Sequence, residues 1–191
     1  MDLIELIEEK RFIGQEFLTW LWWKSEERGG SVTLDGRGDI LIAFEKHALL
    51  EAGEGESAER LICSGLQSEL KEARTGLSLG KNMERARILL THDAYEYNFT
   101  LTGSTMEFRS VRLPKTAAAE DKPDGKAEEL EGVMLERIFL FETLTRLVQE
   151  LFRMFLKIRV SDHWSEEAEK IRAWISQTAS RTANQAVRQF A

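Results

Sequence analysis

The stretch NMERARILLTHDAYEYNFTLTGSTMEFRSVRLP, residues 82–114, decides the fold. Ala86, Ile88 and Leu90 alternate with Arg85, Arg87 and Leu89, the period of a half-buried strand. His92-Asp93 makes a turn. Tyr95, Tyr97, Phe99 and Leu101 then share one face, and Thr102-Gly103-Ser104 makes a second turn. Met106 and Phe108 share a face, but Val111 and Leu113 fall one residue out of phase, which predicts a bulge near Ser110. Three consecutive strands joined by short turns form an antiparallel meander with one packed and one polar face.

Upstream, Val32 and Leu34 alternate before a turn at Asp35–Gly38. Ile40, Ile42 and Phe44 alternate after it, and 58–64 is a further short strand with Leu61 and Cys63 on one side. Leu66, Leu70 and Ala73 predict a short helix over 66–76. Leu3, Ile4 and Ile7 predict another near the N-terminus, and Gly14 is expected to break or bend the chain after it. A helix over about 15–27 carries Phe17, Leu18, Trp20, Leu21, Trp22 and Trp23, apolar nearly all round, and Gly29-Gly30 stop it.

Downstream, PKTAAAEDKPDGKAE at 114–128 holds both prolines and reads as a linker. After it a proline-free helix is expected over about 127–159, with an apolar stripe at 133–158 too wide for one partner, and a last helix from about Ser165. The expected class is α+β: a mostly antiparallel meander sheet, helices packed on one face, and a C-terminal helical pair. The expected divisions are a sheet domain over 1–113, a linker over 114–128 and a helical region over 129–191.

The 191 residues carry 33 acids against 26 bases, a formal charge of −7. That excludes a strongly basic nucleic-acid coat but allows a local basic surface. One cysteine, Cys63, excludes an internal disulfide framework and points to a reducing, cytoplasmic compartment. The first thirty residues lack a signal-peptide pattern, and no apolar run is long enough to span a bilayer. Three histidines and one cysteine fit no usual zinc spacing, and no metal or other cofactor is expected.

Candidate sites follow from the alternation. If Ala86, Ile88 and Leu90 point inward, Arg85 and Arg87 point outward; likewise Asn98 and Thr100, then Arg109 before the bulge and Arg112 after it. Lys81 precedes the first of these strands. Lys81, Arg85, Arg87, Asn98, Arg109 and Arg112 thus form a candidate phosphate-binding surface, because guanidinium donors match phosphate oxygens bidentately. The competing reading is a solvated face with ion pairs to Glu84, Glu96 and Glu107. Trp20, Trp22 and Trp23 suit a core or subunit contact better than a base-stacking platform. Residues 170–191 hold Lys170, Arg172, Arg181 and Arg188 with no acid; they fit a DNA-backbone or acidic-partner contact, or an ordinary helix terminus. Asp162-His163, the DGRGD turn at 35–39, and Gly53 with Gly55 have plainer explanations in capping and turns. Cys63 reads as buried rather than reactive. No feature argues for an enzyme or a small-molecule substrate.

Three segments resemble one family. RFIGQEFLTWLWWKSEE at 11–27, the meander at 82–114 with its closing Leu-Pro, and LERIFLFETLTRLVQELFRMFLKIRVSDHW at 135–164 are similar to the later part of divergent RdgC (recombination-associated) proteins. The resemblance implies a non-enzymatic, sequence-independent DNA-binding protein associated with recombination, nucleoid-associated and dimeric. The two apolar segments independently point to a homodimer. The alternative is an assembly or protein-interaction subunit of the same fold that does not bind DNA.

Overall fold

The computed structural model describes residues 11–53, 58–64, 68–115 and 127–189. The expected helix at Leu3–Ile7, Leu66, and most of the 114–128 linker lie outside the described residues. Helix α1 (Arg11–Glu26) leads through a 3-10 turn (Glu27–Gly30) into β1 (Ser31–Leu34) and β2 (Gly38–Ala52). Next come β3 (Glu59–Ser64), α2 (Ser68–Ser78), β4 (Asn82–His92), β5 (Tyr95–Thr102) and β6 (Phe108–Arg112). The long α3 (Ala127–Arg159) and α4 (Trp164–Gln189) close the chain as a helical pair. No helix among the described residues is long and apolar enough to cross a membrane.

The described strands form one sheet, ordered β1-β2-β4-β5-β6, with every pairing antiparallel. The 15-residue β2 carries β4 along one edge and β1 and β3 end to end along the other. Two tight turns make the meander. The bulge appears where the phase change predicts it: Thr100 pairs with Arg109 but Asn98 with Arg112, and Ser110 sits at φ 50°. Past it, Val111 and Leu113 return to the packed side.

That packed face carries Ile40, Ile42, Leu50, Met83, Ala86, Ile88, Leu90, Tyr97, Phe99 and Leu101, all buried. Helices α1 and α2 lie on it. The tryptophans of α1 are core residues, and Phe17 and Trp20 also meet Phe155 of α3, at ring-centroid distances of 5.7 and 5.6 Å. Each such ring removes about 150–250 Å² from water, which at about 25 cal/mol per Å² contributes roughly 4–6 kcal/mol before entropy is subtracted. The all-round apolar character of α1 therefore has a direct cause: sheet on one side, α3 and α4 on the other. Glu26 ties this junction together, accepting from Trp174 Nε1 at 2.9 Å and pairing with Arg74 of α2 at 2.6 Å.

One expectation is corrected. Gly14 does not break the chain; it lies inside α1, buried against the β5–β6 turn. A Cβ at Gly14 would collide with the carbonyl of Gly103. Glycine is needed there for close approach of helix and turn, not for a bend.

Candidate nucleic-acid interface

The opposite face of the sheet carries the arginines, and register fixes their order. In one cross-strand row Arg87 of β4, Thr100 of β5 and Arg109 of β6 stand side by side. Strand spacing puts the Cα atoms of Arg87 and Arg109 about 10 Å apart across the threonine. The next row holds Leu89, Asn98 and Arg112, and on the other flank Arg85 faces Thr102. The bulge at Ser110 is what gives β6 two outward arginines three positions apart; strict alternation would turn one of them inward.

The four guanidiniums differ in surroundings. Arg87 is largely committed. Its Nε lies 2.9 Å from Glu45 Oε2 and donates to Asn98 Oδ1 at 2.9 Å, while Asn98 Nδ2 donates to Glu45 Oε1 at 2.6 Å. Arg109 pairs with Glu107 two residues before it, at 2.7 Å, in an exposed contact. Arg112 is exposed. Arg85 Nε and Thr102 Oγ1, on facing residues of the β4–β5 ladder, are both enclosed without a hydrogen-bond partner among the described residues. Glu96, exposed on the same side of β5 as Asn98, adds a third carboxylate to Glu45 and Glu107, so against the four arginines a formal surplus of one positive charge remains.

Sequence reasoning missed Glu45. It sits in a second bulge, where Glu45, Lys46 and His47 of β2 stand against Arg87 alone on β4, between the pairs Phe44–Ile88 and Ala48–Ala86. That irregularity re-aims the Glu45 carboxylate over β4 to reach Asn98 on β5. The available signal is the lost alternation after Phe44, where Glu45, Lys46 and His47 follow in a row. Of the acids expected to pair across the face, Glu84 is instead buried, accepting from Gln15 Nε2 of α1 at 2.7 Å and from Ser104 Oγ. It pins helix, strand and turn together.

Lys81 stands apart from the arginines. Its ammonium pairs with Glu59 of β3 at 2.6 Å, and that hydrogen bond, then the charge itself, holds the Glu59 carboxyl below its ordinary range. It lines a cleft of about 360 Å³ on the helical side with Trp20, Trp164, Arg159 and Arg172. Arg159 there pairs with Glu16 at 2.8 Å and lies over the Trp164 ring. Lys170 and Arg172 are exposed on α4; the side chains of Arg181 and Arg188 lie outside the described residues.

The remaining candidates take structural places. Trp20, Trp22 and Trp23 are buried, so no stacking platform is presented. Gly36 and Gly38 of DGRGD adopt positive φ in the β1–β2 turn, with Arg37 N donating to Leu34 O. Asp162 and His163 are exposed between α3 and α4. Cys63 is buried on β3. Among the described residues no group of three His, Cys, Asp or Glu side chains is placed to hold a metal ion. Compared with protein-family models, curated proteins and solved structures, the chain matches none.

Proposed function

We propose that this chain is a sequence-independent DNA-binding protein associated with recombination, which contacts phosphates through the outer face of β4–β5–β6. One observation carries the reading: the register of three adjacent strands sets Arg85, Arg87, Arg109 and Arg112 on one surface, with Asn98 and Thr100 between them. Guanidiniums suit phosphate contact, which positions a protein on DNA without reading bases; between them Thr100 is buried and Asn98 is bonded to Arg87 and Glu45. The likeness of three segments to RdgC proteins supports the same reading and supplies the link to recombination. No step of covalent chemistry is part of it.

A specific observation favours a second reading, an assembly subunit that does not bind DNA. Arg87 and Arg109 already have carboxylate partners, Glu45 and Glu107. Phosphate would have to displace those contacts.

Titration with duplex DNA at two salt concentrations tests the choice. Binding that is indifferent to sequence and weakens steeply with salt, by about 0.9 in log–log slope per neutralised phosphate, supports the first reading. The Arg85, Arg87, Arg109 and Arg112 quadruple alanine variant is then expected to bind all sequences more weakly with a shallower slope. No binding at low salt by the intact protein leaves the assembly reading.

A further inference from the structure

Lys81, Arg159 and Arg172 come from three separate parts of the chain, and the fold brings them around one cleft of about 360 Å³ between α1, the α2–β4 turn and the α3–α4 corner. The floor of this cleft is largely apolar. Trp164, Ala168, Ile171 and Ile175 recur at the helical repeat on one face of α4, with Arg172 at the edge of that face, and Leu77 of α2 stands in the same lining. A cleft of this size, with apolar walls and a few convergent polar groups, has the form of a small-ligand site.

The three cations differ in what they already hold. Arg159 donates from Nε to Glu16 Oε2 at 2.8 Å and lies over the Trp164 ring at 4.7 Å, so it belongs to the wall. The Lys81 ammonium is 15% exposed while its partner Glu59 is 80% exposed: the lysine is held in place and the acid stands in solvent. A pair with one solvated partner is weak, so an incoming anion displaces Glu59 at little cost. Arg172 is exposed and forms no ion pair among the described residues. Glu16 and Glu59 thus answer two of the three cations, and one positive charge is left over in a chain whose formal charge is −7. An inorganic anion would meet that charge but leave the isoleucines wet, and a neutral apolar ligand would do the reverse. An apolar body carrying an anionic group satisfies both surfaces together.

We propose that this cleft binds a small organic anion, with its carboxylate or phosphate on Arg172 and its apolar body against Ile171, Ile175 and Leu77. The site lies on the helical side, apart from the arginines of the outer sheet face, and its test does not depend on DNA binding.

Isothermal titration calorimetry of the full chain at low salt tests it with 2-naphthoate, 2-naphthyl phosphate, uncharged 2-naphthol and inorganic phosphate. One naphthyl anion or both bind once per chain, and the tighter of the two assigns the anionic group. 2-Naphthol and inorganic phosphate each bind at least about tenfold more weakly than that anion, since each makes only half of the contact. Arg172→Gln weakens the anion about tenfold, as expected for one charge-assisted contact, and leaves both 2-naphthol binding and the circular dichroism spectrum unchanged. Lys170→Gln, which removes an exposed charge from the same helix outside the cleft, alters anion binding by less than about twofold. Three results overturn the proposal: no binding of either naphthyl anion at millimolar concentration, 2-naphthol or inorganic phosphate binding as tightly as the anions, or a loss from Arg172→Gln no larger than that from Lys170→Gln.

Discussion

Gly14 of α1 and Gly103 of the β5–β6 turn are in contact, backbone against backbone, and neither has room for a side chain. A Cβ on Gly103 would stand 3.0 Å from Met83 O and 3.1 Å from the Gln15 Cα. Gly103 N also donates to Glu84 O at 2.7 Å, so the turn cannot retreat without losing that bond.

Gly14→Ala is therefore expected to destabilise the fold even though alanine is the better helix former. Propensity favours the substitution by about 1 kcal/mol. Overpacking against a rigid backbone costs about 1–3 kcal/mol or more, and here the obstacle is a carbonyl rather than a flexible side chain. A urea-midpoint decrease checks this; an increase would show that the helix shifts freely.

Glu45→Gln tests the DNA reading from the opposite side to arginine removal. It takes a carboxylate from Arg87 while keeping an acceptor for Asn98. DNA affinity should rise several-fold at low salt, and the gain should shrink as salt increases. An unchanged affinity would place DNA, if bound at all, elsewhere.

Tyr97 gives a pH signature. Burial, and less strongly the neighbouring Tyr95 and Asp93, push its phenol above the ordinary value of 10.0. A group raised in the folded state contributes its full stability below its unfolded pKa. That contribution is lost as pH climbs through the folded value. The urea midpoint should thus fall above about pH 10, and Tyr97→Phe should lessen the fall. An equal decline in both proteins would remove Tyr97 as a cause.

Cys63, buried on β3, should react slowly with a thiol reagent in the native protein and stoichiometrically in denaturant. Fast native labelling would mean that the β2–β3 edge opens readily.

Most of this architecture was legible because its signals are local. The period-2 runs around Ile88 and Phe99, and the phase slip after Phe108, report on immediate neighbours in the chain. They fixed the strands, the outward arginines and the Ser110 bulge. The bounds of α3 followed from a long proline-free apolar pattern. Gly14 misled because the same absent side chain serves a bend or a close approach, and only the partner, 89 positions away at Gly103, distinguishes them. Glu45 was missed for a related reason: an extra pair of residues in β2 is visible only against β4. Lys81 was grouped with the arginines by proximity in sequence, yet it lies before β4 begins and turns toward Glu59.

The ring contacts of Phe17 with Phe152 and Phe155, at 5.1 and 5.7 Å, have a consequence for how the protein is made. Roughly 135 residues separate the partners, which at about 5–20 residues per second is about 7–27 s of translation. During that interval the tryptophan-rich α1 has left the ribosome without the helix that covers its far side. The nascent chain thus passes through a period in which its stickiest segment is half-sheltered by the sheet alone. Synthesis rate and chaperone supply should therefore govern its soluble yield more strongly than the stability of the finished protein does.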